Sequence, residues 1–147
     1  MPGQYVVLDN GRLVLEKWTG DVSHADILQL DRRVLRDKRI MARASVLVDA
    51  TTARFETPPE KVREIAAVQA ESGKKSPLSR VALLVNYDAF GFSQLLAKEM
   101  ERYGITVIVF HTLDIACTWL GLDTGHVRAQ LDAITSYRAK GNRSATR

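Results

Sequence analysis

Apolar side chains recur along this chain with two periods, strand-like and helix-like, and the changes between them divide it into elements. Tyr5 to Asp9 alternates weakly, as a short strand does. Asn10-Gly11 follows, a pair that tolerates positive φ and favours a tight hairpin turn. Leu13, Leu15 and Lys17 then alternate with Arg12, Val14 and Glu16 up to Thr19-Gly20. The opening therefore reads as a hairpin with strands over 4–9 and 11–19. Ser23 and Asp26 have the spacing of a capping box. Ile27, Leu30, Val34 and Leu35 continue at helical spacing, which predicts a helix over 23–37.

Three short, nearly continuous apolar runs, 45–50, 81–85 and 105–110, have the pattern of strands buried on both faces. Thr57-Pro58-Pro59-Glu60 predicts a helix start, with Thr57 as cap, Pro58 in the first position and Glu60 closing the box. That helix carries Val62, Ile65, Ala66 and Val68 towards Gly73, and a loop is expected over Lys74-Lys75-Ser76-Pro77. Asn86-Tyr87-Asp88 is a turn. A helix from Ala89 carries Phe92, Leu95, Leu96, Met100 and Tyr103 and closes at Gly104. Thr112 is placed to cap a short helix with Ile115, Ala116, Trp119 and Leu120, stopped at Gly121. Thr124 opens a last helix with the stripe Val127, Leu131, Ile134 and Tyr137. Strands alternating with helices predict a mainly parallel sheet with right-handed crossovers, to which the hairpin adds one antiparallel edge strand.

The length, 147 residues, suits one domain with an ordinary core, expected over 1–140 with a frayed basic tail over 141–147. The net charge of +4 changes the picture only through its location. Arg138, Lys140, Arg143 and Arg147 follow the last acid, Asp132, so up to residue 137 the chain carries 17 basic and 17 acidic side chains. A neutral body predicts no nucleic-acid partner. The local basic run Arg32, Arg33, Arg36, Lys38, Arg39 and Arg43 reads as a solvated helix end. No apolar run is long enough to span a bilayer, and the N-terminus lacks the pattern of a secretory leader, so a cytoplasmic protein without integral membrane association is expected. Cys117 is expected to be a small buried hydrophobe. His24, His111 and His126 have no metal-binding spacing, and no phosphate-binding glycine loop follows a strand, so neither a metal nor a nucleotide cofactor is expected.

The segments LVLEKWTGDVSHADILQL, VLVDATTARFETPPEKV, RVALLVNYDAFGFSQLLAKEME and ITVIVFHTLDIACTWLGL, taken in order, resemble the SpoIIAA-like, or STAS-type, family of small bacterial proteins, in its divergent uncharacterised branch. The resemblance covers roughly residues 4–122. It implies an α/β fold of four right-handed βα turns, an antiparallel N-terminal edge strand and, here, an added C-terminal helix. It also implies a non-enzymatic binding or regulatory module that recognises a protein partner or a small apolar or anionic ligand. Anti-sigma-factor antagonists of this fold carry a phosphorylatable serine, in a D-S-S-G-like stretch, at the helix start after the middle strand. The matching stretch here, Asp49 to Pro58, has neither that serine nor the glycine, and a phospho-switch would fall to Thr51, Thr52 or Thr57.

Ligands of open parallel sheets lie beyond the carboxyl ends of the strands. Those ends supply Asp49, Thr51 and Thr52, then Tyr87, Asp88, Phe90, Gly91 and Phe92, then His111 and Thr112. The expected binding site is Asp49, Thr51, Asp88, Phe90, Gly91, Phe92 and His111. The structural alternative has Asp49 and Asp88 holding turns, with Phe90 and Phe92 packing the helix start. Gly91-Phe92-Ser93 stands where a nucleophile elbow would. A Ser93/His111/Asp49 hydrolase is therefore a further alternative, although Leu95 replaces the second glycine and no catalytic role is expected. Finally, one-way winding puts the crossover helices on one face of the sheet. The last helix must then cover the other face or pack against a second copy, and a homodimer is expected.

Overall fold

The computed structural model describes residues 2–70 and 78–145, with residues 70, 78, 79 and 135–145 given by backbone alone. Five strands form one sheet in the order β1-β2-β3-β4-β5: β1 (Gly3–Leu8), β2 (Leu13–Val22), β3 (Ala44–Phe55), β4 (Leu78–Val85) and β5 (Thr106–Phe110). β1 is antiparallel to β2, and every later pair is parallel. The helices are α1 (His24–Arg36), α2 (Val62–Ala70), α3 (Phe90–Glu101), α4 (Leu113–Leu120) and α5 (Thr124–Ala145).

Strand order follows chain order, so the crossovers wind one way. α1, α2 and α3 share one face and one core, built from Val14, Leu30, Val46, Val81, Val85 and Met100 among others. The opposite core joins Leu13, Leu15, Leu47 and Ala82 to Ala116 and Cys117 of α4 and to Val127, Leu131 and Ile134 of α5. The last helix thus covers its own sheet, the first of the two arrangements open from sequence. Its backbone stays helical past residue 140, and Tyr137 lies outside the residues whose side chains are described. Fully buried Leu15, Leu30 and Leu47 anchor the two cores, each contributing about 1.5–3 kcal/mol.

Several local expectations change. The hairpin loop is Asp9 to Arg12 rather than Asn10-Gly11 alone, with Asp9, Asn10 and Gly11 all at positive φ. At Gly11 a side chain would also meet the Arg39 carbonyl at 2.1 Å, where the Gly11 carbonyl accepts from the Met41 amide. β2 lies inside the sheet with helices on both faces, so Leu13, Val14, Leu15 and Glu16 are all buried and the alternation has no solvent side. β5, expected to be buried on both faces, is an edge strand, and Ile108 is exposed. β3 runs on to Phe55 because β2 continues to Val22 and pairs with it beyond the end of β4.

The Ser23–Asp26 capping box forms in full. Thr57 does not cap: Pro58 leads into a 3-10 turn, Pro59–Lys61, before α2, and the Thr57 hydroxyl instead lies 3.3 Å from His24 Nδ1. Thr112 makes no side-chain cap bond either. The expected helix end at Gly73 and the 74–77 loop fall outside the described residues. The basic run around α1 is organised by Asp37, which accepts from Tyr5 at 2.7 Å and pairs with Arg39, while Arg33 lies over the Tyr5 ring. The Arg39 bond, first, and the Tyr5 bond hold the Asp37 carboxyl well below the usual carboxylate range.

Candidate functional site

β4 stops at Val85, opposite Ala50, while β3 continues five residues further, paired with β2 alone. A register shift opposite Lys17–Thr19 leaves one extra β3 residue there, a bulge. Asp49 Oδ1 accepts from the Thr51 amide (3.1 Å) and hydroxyl (2.8 Å) across it. Asp49 and Thr51 therefore meet each other within a strand, not in a loop past its end, and their contact is local.

Asn86 turns the chain after β4. Its Oδ1 accepts from the Ala89 amide at 3.1 Å, and its Nδ2 donates to the Thr51 and Ala53 carbonyls at 3.1 and 3.2 Å. It thus supplies the donors that β4 no longer offers to β3. The turn role expected of Asp88 belongs to Asn86. Asp88 lines a cleft of about 370 Å³ with Asp21, Thr52, Arg54, Asn86 and Phe92, between the β2–β3 ribbon and the start of α3. Arg54 and Asp21 pair at 2.7 Å on its lip, both exposed, which contributes little net stability.

Beyond the end of β4, His111 lies against Tyr87 (ring centroids 4.4 Å) and Phe90 (5.8 Å), both near-parallel to it. His111 Nδ1 is 3.1 Å from the Val85 carbonyl, which only accepts, so Nδ1 carries the proton and the ring is fixed. Tyr87 is 81% exposed. Phe92 turns away to stack on Phe55 at 4.7 Å, and Gly91 lies open. Of the seven expected site residues, the fold joins Phe90 to His111, Asp88 to Phe92 and Asp49 to Thr51, in three separate groups.

Ser93 is fully buried and donates to the Ala89 carbonyl at 2.7 Å. With His111 bonded to Val85 and Asp49 to Thr51, these three side chains form no Ser-His-Asp relay. Of the threonines considered for modification, Thr51 is bonded to Asp49 and Thr57 is buried, while Thr52 is exposed.

A polar cluster that the sequence reading missed lies under the sheet. Glu16 of β2, Asp31 of α1 and Gln69 of α2 are all buried. Burial, and then the nearby Asp31 carboxyl, push the Glu16 pKa up to about 8. Burial pushes Asp31 up to about 7, against the opposing pull of its hydrogen bond with Gln69. Among the described residues, no group of three or more metal-ligating side chains is gathered, and no helix is long and apolar enough to cross a membrane.

A sheet wound in one direction, three crossover helices on one face, an antiparallel first strand and a closing pair of helices together define a SpoIIAA-like α/β fold. Among solved structures the chain is similar to an uncharacterised protein of the DUF3478 family, with a SpoIIAA-like fold, from Shewanella loihica PV-4. The match has a TM-score of 0.51 and 16% identity over 80% of this chain and 93% of that one. Likeness at that identity shows the fold alone. No family model matches the sequence, and no curated protein does.

Proposed function

We propose that this chain is a non-enzymatic recognition module that docks a protein partner on the carboxyl-edge surface around Tyr87, Phe90 and His111. The exposed ring stack carries the reading. Stacked rings left in water forfeit about 25 cal/mol for each Å² of apolar surface that a partner would cover, and aromatic anchors dominate protein interfaces. The surroundings support it. Seven large hydrophobic side chains are exposed among the described residues, and six of them, Tyr87, Phe90, Leu95, Tyr103, Ile108 and Ile115, lie on α3, β5, α4 and the turns before and after α3. These elements border the free edge of β5. Tyr87 and Phe90 are exposed to water, which suits a protein surface better than an enclosed small-ligand site.

A second copy of the chain presents the same surface to itself, so a two-fold dimer is the form that purified protein tests first. Native mass spectrometry should show a dimer that Tyr87→Ser/Phe90→Ser dissociates. If the wild type is monomeric, tagged wild type should retain a protein from its own cell extract that the double variant loses. Identical behaviour of the folded variant in both assays refutes the reading.

A further inference from the structure

The core between the sheet and α1, α2 and α3 retains a cavity of about 70 Å³. Two carboxyls, Glu16 and Asp31, and one amide, Gln69, line it. No Lys, Arg or His does, and the rest of the lining is apolar or aromatic. Glu16 is 7% exposed and accepts no hydrogen bond among the described residues, its one electrostatic neighbour being another acid. An unbonded carboxyl set in an apolar cavity costs folding energy, and the cavity beside it leaves room for the missing donor.

We infer that this cavity is a binding site for a small primary alkylammonium ion, held at its head by Glu16 and Asp31 and along its body by Trp18, Phe55 and Phe92. The chemistry of the lining selects the class. Ionised carboxylates are acceptors only, so the complementary group is a donor, and an ammonium brings three donors and the opposite charge. An anion would be buried with no cation in the lining, and a neutral alcohol supplies one donor. The three rings lie in sequence, Trp18 edge-on to Phe55 at 6.5 Å and Phe55 stacked on Phe92 at 4.7 Å, and give the alkyl body an apolar wall. A water needs roughly 10–15 Å³ by the same measure, so the cavity suits a body of about four to six heavy atoms. Without the ion the two acids hold protons near neutral pH, and no other titratable group lines the cavity. One ammonium compensates one negative charge, so binding ionises one acid of the pair and releases a proton to the buffer.

The test is calorimetry of the intact protein at neutral pH with n-butylammonium chloride, n-butanol and butyrate, in phosphate and in HEPES. The expected result is one saturable site for butylammonium, with an enthalpy that differs between buffers because protons are released. Binding should be at least about tenfold tighter than for butanol, with none for butyrate. Affinity should fall again at hexylammonium. Glu16→Gln, whose amide matches the protonated acid in shape, should weaken butylammonium by about tenfold or more while the protein stays folded by circular dichroism. Butanol binding as tightly as butylammonium overturns the inference, because the cavity is then merely apolar. So does the absence of saturation by any amine at tens of millimolar, because water alone then fills it. Neither result touches the outward ring surface, which the double variant tests separately.

Discussion

Raising the pH from 5 to 9 should destabilise this protein, and Glu16→Gln should remove much of the loss. In the unfolded chain Glu16 and Asp31 ionise at their ordinary values, 4.5 and 3.8, whereas in the fold they hold their protons up to about 8 and about 7. Between those limits the folded chain binds more protons than the unfolded one, so the unfolding free energy falls as pH rises. The stability is complete below about pH 4 and is lost as the pH passes through the folded values. Each unit is 1.36 kcal/mol, so one carboxyl held about three units high costs on the order of 4 kcal/mol at alkaline pH. The pair costs less than twice that, because their mutual repulsion is a single shared interaction. At 2–4 °C per kcal/mol for a domain of about this size, the melting temperature should fall by roughly 10 °C or more. Glu16→Gln should flatten the slope by about half, because it removes one of the two titrations and leaves that of Asp31. Asp37 titrates below this window and Tyr5 above it, while burial of the Cys117 thiol adds a loss in the same direction only at its upper end. Urea denaturation of wild type and Glu16→Gln at intervals of one pH unit measures this. A wild type as stable at pH 9 as at pH 5, or a variant with the wild-type slope, would refute the burial argument.

Three further perturbations follow from the geometry. Asn86→Ala removes one cap acceptor and two donors to β3 and should cost about 2–3 kcal/mol by chemical denaturation, whereas Asn86→Asp keeps the cap but sets an acceptor-only carboxylate oxygen against the Thr51 and Ala53 carbonyls and should lose at least as much. Gly11→Ala meets both a left-handed φ and the Arg39 carbonyl and should cost about 2 kcal/mol or more in the same assay. Ser93→Ala should cost about 1 kcal/mol, the worth of the bond to Ala89, and should leave any ester turnover of the preparation unchanged; lost turnover in a folded variant would restore Ser93 as a nucleophile.

The sequence by itself determined the order of the elements and the fold they make. Runs such as 45–50 and 81–85, apolar without alternation, say that both faces of a strand are covered, and the Ser23–Asp26 box fixes a helix start, because these signals are local and repeat at the period of one element. The stripe Val127, Leu131 and Ile134 equally declared that α5 buries a face, without saying against what. Only the tertiary structure decided where each strand stops. β3 outruns β4 because β2 accompanies it, and that pairing moved Asp49 and Thr51 from a loop into a bulge and gave the turn to Asn86. The buried acids were half legible. Asp31 follows Ile27 and Leu30 and precedes Val34, and Gln69 follows Val62, Ile65 and Ala66, each in an apolar stripe position at i, i+3, i+4, i+7 spacing. Glu16 gave no such signal, since an alternating strand looks the same whether its second face meets water or helices. Whether that face meets water depends on which strands and helices become its neighbours, and those contacts join residues far apart in the chain.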